Sequence, residues 1–547
     1  MLQIITGKFY GDGEKQHNAC NGILYSNVFF HAISPINYGK IQINTVDWSP
    51  GLPSYVISYD NCIERVPQTE ILIKVGDNVI IEQLKYILSF SLNAIFDENE
   101  TMVEELCRYG NIGEHCISSY VDKTFEKNRH LTGQDWEQSM LFYNKMMGLS
   151  RKEYKVVMRC LAAYHSSFKV FNNDISLAYS ILVYVLETLS ANFDEYSSSW
   201  EDYDQETRIK LDKKFEKIDP SVADEIRTIL ISKEHLRLAR RFSAFVLEYI
   251  DQNYYLATDK RQATEDELYQ AVAKAYVFRS KYTHELQPIL KQLYNVQMSK
   301  NSEIFEWQHE VFFTYAGLLR LTRTVITNFV NSRCAVEKES YEWYDDLPGI
   351  VKVELHPKLW LGKSSDPKFK CIFRNFGALL FCMENEKEVP NLNSLVENYL
   401  HNILSICKKD RCMAYVLCWI YINCASGNEA TYTDNMKELL NKNHNMTQIC
   451  SIATIIGRQY GMPTDDYSLE DVIETVNTYN KSKFKNNRLK MPASLENKIY
   501  INIAESFGEE RISDKLLWYE KTYKNAVNDD KLQEIILKKI RNIREGD

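Results

Sequence analysis

The sequence lacks several features that mark common classes of protein. It has no GxxxxGK[ST] and no GxGxxG segment, so we expect no phosphate-cradling loop, and it has no HExxH segment of the zinc proteases. Thirteen cysteines are present, but Cys407, Cys412, Cys418 and Cys424 are not at the two-residue spacing of zinc sites, and we expect them to be core residues of helices. The sequence therefore predicts neither a metal site nor a cofactor.

Long hydrophobic runs and an excess of basic residues are also missing. The longest apolar run, residues 413–424, is too short to span a bilayer, and the first residues, MLQIITGKFYG, show no pattern of a signal peptide. The odd number of cysteines fits a reducing compartment, so we expect a cytoplasmic protein with no membrane partner. The net charge is −9, from 65 basic and 74 acidic residues, so any nucleic acid must be bound by a local basic patch.

The 547 residues are enough for about three domains, each with its own core. Short β-branched and aromatic runs, separated by turn residues, predict strands over residues 2–11, 22–30, 40–48, 54–63 and 71–75. A helical pattern follows over residues 80–96. Residues 1–96 are therefore predicted to be a small β domain, a sandwich or barrel, that ends in a helix, and residues 97–150 are predicted to be a connecting region.

The rest of the chain is predicted to be helical. Helices are expected over residues 153–171, 175–191, 221–253, 264–287 and 303–330, which together form a helical domain over residues 151–330. Residues 331–350 are predicted to be a linker, and residues 351–547 a helical C-terminal domain. The predicted fold class is α+β, mostly α.

Within the segment AYVFRSKYTHEL (275–286), a charged residue falls on the apolar face of a predicted helix. Apolar residues recur here at three-, four- and seven-residue spacing, and Arg279 lies in the middle of that stripe. A guanidinium in this position must be paired or must line a cleft, because burial of an unpaired charge is costly. His284 follows five residues later, and histidine is the side chain whose ordinary pKa allows proton exchange near neutral pH.

The spacing of this pair, RSKYTH, resembles the signature of the HEPN superfamily of prokaryotic ribonucleases, in which Arg is followed by four to six residues and then by His near the end of a late helix. The segment FRSKYTHEL is similar to the Apea-like subgroup of phage-defence proteins, in which a β-rich domain also precedes the HEPN domain. An earlier helix of that subgroup resembles ISLAYSILVYVLETLS (175–190), whose acidic residue here is Glu187. The resemblance covers residues 152 to about 330 and implies a central HEPN helical bundle.

The resemblance implies a hydrolase, a metal-independent endoribonuclease that acts as a toxin or in antiviral defence against phage. The 2′-OH of the RNA would be the nucleophile, His284 the general acid or base, and Arg279 the ligand of the scissile phosphate. Glu187 would complete the catalytic set by pairing with Arg279. RNA, including tRNA or other structured RNA, is the expected partner because DNA lacks the 2′-OH. The alternative is a non-catalytic HEPN-fold module that binds RNA, a nucleotide or a partner protein.

Each of these three residues also has a structural interpretation. Arg279 could form a core ion pair, His284 could interact with the dipole at a helix end, and Glu187 could lie on a solvated edge. Five residues on an ideal helix span about 500°, which leaves Arg279 and His284 about 140° apart. One site can hold both only if the helix bends before Pro288 or if two chains contribute. The resemblance implies a homodimer through the HEPN domain.

Four further residues are candidates for RNA binding. Lys281 and Tyr282 lie inside the motif and could touch phosphate or base, or could be an exposed lysine and a core tyrosine. Arg237 and Arg241 share one face of a predicted helix and would suit a groove for RNA.

Overall fold

The computed structural model describes residues 1–11, 15–30, 34–46, 51–65, 72–111, 114–194, 199–200, 205–233, 238–256, 259–347, 355–362, 369, 371–385, 389–425 and 433–545. The chain forms two compact units, residues 1–350 and 351–547. The fold is α+β and mostly helical, with a small sheet near the N-terminus followed by helices, as the sequence predicts.

The strands lie in the first unit. They are β1 Lys15–Ser26, β2 Val28–Phe29, β3 Ile36–Tyr38, β4 Ile41–Thr45, β5 Ser54–Arg65, β6 Leu72–Lys74, β7 Phe96–Asp97, β8 Arg129–His130, β9 Ile304–Trp307 and β10 Glu310–Phe313. Antiparallel pairing gives the order β3-β4-β5-β1-β7, and β6 also pairs with β5. In addition, β2 pairs with β8 in parallel, and β9 and β10 form a hairpin.

The helices of the first unit are α1 Leu2–Ile5, α2 Asp77–Ser91, α3 Glu100–Leu106, α4 Ile117–Tyr120, α5 Asp122–Phe125, α6 Gly133–Gly148, α7 Arg151–Phe171, α8 Ile175–Phe193, α9 Gln205–Phe215, α10 Pro220–Lys233, α11 Leu238–Glu248, α12 Glu265–Glu285, α13 Val296–Asn301 and α14 Tyr315–Ser332. The expected helices over 153–171, 175–191 and 264–287 correspond to α7, α8 and α12. The single helix expected over 221–253 is described as α10 and α11.

Among the described residues, strands β1 and β3 to β7 form one open sheet, rather than the expected sandwich or barrel. Helix α2 packs on this sheet, and Gly22 of β1 permits the close approach, because a Cβ there would lie 2.6 Å from Ile81 Cδ1 of α2. The strand expected over residues 2–11 is also wrong. Leu2, Ile4 and Ile5 form the short helix α1 and are all buried, so this run shows no alternation that would separate a strand from a helix.

The helix expected over residues 303–330 begins too early. Residues 304–313 form the β9–β10 hairpin, and α14 starts only after Thr314, whose hydroxyl accepts a hydrogen bond from Gly317 N at 3.2 Å. The hairpin turns at Gln308 and His309, which both have left-handed φ values, 51° and 63°. Such two-residue turns favour Asn or Gly, so the Gln-His pair gives no turn signal.

One hydrophobic core runs through the whole first unit, from Leu2 to Trp343. Residues 97–150, expected to be a connecting region, supply helices α3 to α6, which contribute to that core. The stretch expected to be a linker also packs on it: Val336 N donates to Gly148 O at 2.8 Å, and Trp343 is 2% exposed and donates to Glu64 Oε2 at 3.0 Å. Up to residue 347 this stretch is therefore part of the first unit.

The second unit has a separate hydrophobic core. Its helices are α15 Pro357–Trp360, α16 Ile372–Asn385, α17 Asn393–His401, α18 Arg411–Cys424, α19 Asp434–Lys442, α20 Ile452–Gln459, α21 Leu469–Ser482, α22 Ala493–Glu505, α23 Ile512–Asn525 and α24 Asp530–Glu545. Cys412 and Cys418 are buried in α18, as expected, whereas Cys424 is half-buried and Cys407 is exposed.

Among the described residues one helix, α8, is long and apolar enough to cross a membrane, by length and composition only. Most residues in the most apolar 18-residue stretch of α8 are buried within the first unit, where α8 packs against α7, α12 and α14. Burial of this kind is typical of a core helix of a soluble protein.

Candidate functional site

Helices α8 and α12 pack against each other and carry the residues of the predicted site. Asp174 caps the start of α8, because its Oδ1 accepts from Leu177 N at 2.9 Å. Its Oδ2 accepts from the hydroxyl of Tyr282, near the end of α12, at 2.8 Å. A single carboxylate therefore ties the first turn of α8 to the last turns of α12. At its own start, α12 has a capping box formed by Thr264 and Glu267.

Arg279 lies between the two helices and is 7% exposed. Its Nη2 forms an ion pair with Glu187 Oε2 of α8. The guanidinium carbon also lies 5.0 Å from the ring centroid of Tyr184 and 4.9 Å from that of Tyr276, within the range of cation–π attraction. Burial lowers the pKa of Arg279, and Tyr184 acts in the opposite direction. A guanidinium remains charged in proteins, so this is a partly buried ion pair between two aromatic rings.

Hydroxyl groups connect the same two helices beside the ion pair. Thr283 Oγ1 donates to the carbonyl oxygen of Arg279 at 2.8 Å and also contacts the hydroxyl of Tyr184. Because the Thr283 proton is used on Arg279, the Tyr184 hydroxyl is the donor in the second bond. The backbone of Arg279 is thus linked to the ring that lies over its own guanidinium.

His284 has a different environment. It is exposed in the last turn of α12, with no hydrogen bond or ion pair to any residue that the structure describes. The helix continues through His284 to Glu285 and ends at Leu286, whose φ is 53°. The helix thus stops near residues 285–287, where Pro288 predicts a bend or stop, but it is still helical through His284, so Arg279 is buried against Glu187 of α8 while His284 is exposed. The structure brings Arg279 and Glu187 together and leaves His284 separate within one chain.

The candidate RNA-binding residues differ in their availability. Lys281 is exposed. Burial and the hydrogen bond to Asp174 raise the pKa of Tyr282 to about 12. Arg241 makes a two-point contact with Asp194, with Nε–Oδ2 at 3.1 Å and Nη2–Oδ1 at 2.7 Å. Arg237 lies outside the described residues.

Sequence reasoning missed three residues that surround Arg279, namely Tyr184, Tyr276 and Thr283. A signal for the two tyrosines is present, because Tyr184 precedes Glu187 by three residues and Tyr276 precedes Arg279 by three. Residues three apart share a helix face. An aromatic residue three positions before each charged residue therefore predicts a ring beside the ion pair. Thr283 has no comparable signal, since it depends on the register between the two helices.

No metal centre is formed by the described residues: none of their His, Cys, Asp and Glu side chains form a group of three or more that could hold an ion. Comparisons of the chain with models of known families, with curated proteins and with solved structures found no match. A functional assignment therefore depends on the chemistry of the α8–α12 pair and on the resemblance of its motif.

Proposed function

We propose that this protein is a metal-independent endoribonuclease of the HEPN type. The observation that carries the proposal is the α8–α12 pair, which holds Arg279 against Glu187 and leaves His284 exposed five residues further along α12. An exposed imidazole can reach the 2′-OH of an RNA without any opening of the protein. The RSKYTH resemblance supplies the reaction class.

In this mechanism His284 removes the proton of the 2′-OH, and the resulting oxygen attacks the adjacent phosphorus. The bond to the 5′-oxygen breaks, and that oxygen leaves with a proton supplied by a general acid, which gives a 2′,3′-cyclic phosphate and a 5′-OH. Arg279 stabilises the charge on the phosphate. Because only 9% of the Arg279 side chain is exposed, RNA must approach its small accessible edge. Glu187 is a positioning residue that fixes the guanidinium.

The same proposal includes a homodimer. Since Arg279 and His284 face different directions on one helix, a complete site needs the second copy, and a two-fold interface brings identical surfaces together. Val277, 41% exposed, lies seven residues before His284 and therefore on the same face, and Leu286 is 77% exposed just beyond it. These apolar residues suit burial against the partner chain, which would place both histidines in one cleft.

The substrate in this proposal is RNA, including tRNA or other structured RNA, and the setting is a cytoplasmic toxin or antiphage system. Lys281 is exposed three residues before His284 and would contact the RNA backbone. Tyr282 and Arg241 would first have to leave Asp174 and Asp194 in order to touch RNA.

A second candidate is a non-catalytic HEPN-fold module that binds RNA, a nucleotide or a partner protein. The burial of Arg279 favours it, because the ion pair with Glu187 and the rings of Tyr184 and Tyr276 account for this arginine as a structural residue. The two candidates differ in what they require of His284: the enzyme needs it as an acid–base group, whereas in the non-catalytic module its place in the last turn of α12 serves only the helix dipole.

The deciding experiment incubates the purified full-length protein with structured RNA in EDTA. We expect cleavage that resists the chelator and leaves 2′,3′-cyclic phosphate ends. His284→Ala should lower the rate about 100- to 10,000-fold, the range of a lost general acid or base. His401→Ala is the matched control, because His401 is also an exposed histidine in the last turn of a helix.

Three results separate the possibilities. Cleavage that disappears in EDTA and returns with Mg²⁺ would contradict the metal-independent mechanism. Full activity in His284→Ala would remove this histidine from the reaction. Binding of RNA without any cleavage would favour the non-catalytic module.

A further inference from the structure

A cavity lies in the first unit, formed by residues other than those of the Glu187–Arg279 pair. Its volume is about 580 Å³, and we call it the α14 cavity because one face of α14 lines it. Among its lining residues are Arg320, Arg323, Thr327 and Asn328 of α14, together with Lys123 and Tyr254. Cavities of 300–1,000 Å³ are typical of sites for small organic ligands.

Arg323 is the residue that makes this cavity unusual. It is half-buried, its guanidinium carbon lies 5.7 Å from the ring centroid of Phe90, and no carboxylate of the described chain lies within ion-pair distance. Burial lowers the pKa of Arg323, and Tyr164 raises it to a smaller extent. A largely desolvated cation without an anion is unfavourable, so a bound anion would stabilise it.

A second guanidinium increases the local positive charge. Arg129 Nη2 donates to the carbonyl oxygens of Leu92 and Asn93, at 3.0 and 2.8 Å, and Asn93 itself lines the cavity. Burial lowers the pKa of Arg129, and the nearby charge of Arg323 does so as well, while Asp135 acts in the opposite direction. These carbonyl oxygens accept from Nη2 of Arg129 but do not neutralise its charge, and its Nε has no hydrogen-bond partner among the described residues.

The other cations at the cavity already have partners. Arg320 Nη1 contacts Glu303 Oε2 at 2.8 Å, and Lys123 Nζ contacts Asp259 Oδ2 at 3.1 Å. Lys260, which also lines the wall, donates to Ser299 O at 3.1 Å. Arg323 is the guanidinium at the wall that has no carboxylate of the described residues within ion-pair distance.

Tyr254 adds an independent observation. It is 2% exposed, it lines the cavity, and its hydroxyl has no hydrogen-bond partner among the described residues. The ring is held in place by Arg320, whose guanidinium carbon lies 4.2 Å from the ring centroid. A buried hydroxyl without a partner costs roughly 1–3 kcal/mol, so a ligand that accepts its proton would remove that cost.

The acidic residues of the cavity restrict the kind of anion. Glu303 is buried, and Asp251 and Asp259 also line the wall. Glu303 and Asp259 are paired with Arg320 and Lys123, so the wall does not repel an anion, and the carboxylate oxygens can still accept hydrogen bonds from the hydroxyls of a sugar. The space is also much larger than an inorganic phosphate needs.

We propose that the α14 cavity binds a sugar phosphate of mononucleotide size, with its phosphate on Arg323 and on the hydroxyl of Tyr254, and its sugar hydroxyls toward the acidic wall. Arginine suits this role because its planar set of donors matches two phosphate oxygens. The site is separate from the α8–α12 pair, and the proposal does not depend on the ribonuclease activity.

The test is calorimetric titration of the full-length protein with AMP, ribose 5-phosphate, adenosine and inorganic phosphate. AMP and ribose 5-phosphate should both bind, and adenosine should bind at least about ten-fold more weakly, because it lacks the charged group. Adenosine as tight as AMP, or inorganic phosphate as tight as ribose 5-phosphate, would overturn the assignment. An RNA oligonucleotide that displaces AMP at lower concentration would overturn it as well.

Substitutions test whether AMP binds in the α14 cavity. Arg323→Met should weaken AMP binding about 100-fold, and Tyr254→Phe, which keeps the ring beneath Arg320, about ten-fold. Arg159→Met is the control, because Arg159 is exposed on α7 and outside the cavity, and it should bind AMP like the wild type. Circular dichroism checks that each variant is folded. Wild-type affinity in Tyr254→Phe, or in a folded Arg323→Met, would refute the proposal.

Discussion

The ion pair between Glu187 and Arg279 allows a quantitative prediction. Only 9% of the Arg279 side chain is exposed, whereas 28% of the Glu187 side chain is. Removing one partner of a buried pair costs about 3–5 kcal/mol, because it leaves an uncompensated charge. Glu187→Leu leaves the more buried charge, the guanidinium of Arg279, without its acid. Because the two aromatic rings still attract that guanidinium, we expect the stability of the α8–α12 pair to fall by about 3 kcal/mol. Arg279→Met leaves the Glu187 carboxylate, which water can reach, so we expect a smaller loss of stability, about 1–2 kcal/mol.

The double variant tests whether these losses share one cause. Replacing both partners by apolar residues leaves no buried charge, and such replacements are often neutral. The stability that the double variant loses should therefore be smaller, by about 2 kcal/mol, than the sum of the losses of the two single variants. Hydrogen exchange of the amides in α8 and α12 is the suitable assay, because the two compact units need not unfold together and a single unfolding free energy would then be ill defined.

A matched control uses the pair of Glu206 and Lys210, whose side chains are 79% and 72% exposed. Glu206→Ala should leave the exchange of α8 and α12 unchanged, because exposed ion pairs contribute little. If the losses of Glu187→Leu and Arg279→Met are additive, the two residues do not stabilise the helix pair through each other, and the interpretation of their contact is wrong.

Three further predictions follow from particular contacts. Mixing Arg279→Ala and His284→Ala chains should restore part of the RNA cleavage that each lacks, and a protein that cleaves at full rate as a monomer would contradict the shared site. His165 is buried, and burial lowers its pKa, so the unfolded chain binds its proton more readily. The stability that the neutral His165 contributes should be complete above the ordinary pKa of 6.5 and should decrease as the pH falls below it, which hydrogen exchange of the α7 amides, corrected for its intrinsic pH dependence, can compare between wild type and His165→Gln. Gly317→Ala should destabilise the first unit strongly, because the new Cβ would lie 2.0 Å from Glu303 O, and a melting temperature equal to that of wild type would exclude the contact.

The parts of the fold that the sequence predicts well are the long segments in which apolar residues recur with the helical period. Helices α7, α8 and α12 each exceed eighteen residues, so many repeats support the same assignment. The β9–β10 hairpin was not predictable in the same way, because each of its strands has four residues and its turn is Gln308-His309. Its stability comes from contacts with α12, such as the stacking of Phe278 on Phe312 with ring centroids 5.1 Å apart.

For the candidate site, the sequence predicts which charges need partners but not where every partner lies. An arginine on an apolar stripe implied a nearby acid, and Glu187 is the acid on the most apolar helix of the region. The contact between Tyr282 and Asp174 joins residues 108 positions apart, so it depends on the packing of two helices rather than on local spacing. The sequence does not single out Arg323. In an amphipathic helix, an arginine that lines a cavity has the same sequence pattern as an arginine exposed to solvent.

Trp343 has a consequence for how the chain folds during synthesis. Its indole contacts the ring of Tyr10 at a centroid distance of 6.0 Å and donates to Glu64 at the end of β5, so this part of the N-terminal packing is completed only by a residue more than 270 positions later. At about 5–20 residues per second, the ribosome needs very roughly 15–60 s between the sheet and this tryptophan. During that interval Tyr10 and Glu64 lack their contact with Trp343, so the first unit completes its packing only after the residues that follow α14 have been synthesised. A chain cut at residue 330 would remain in that incomplete state.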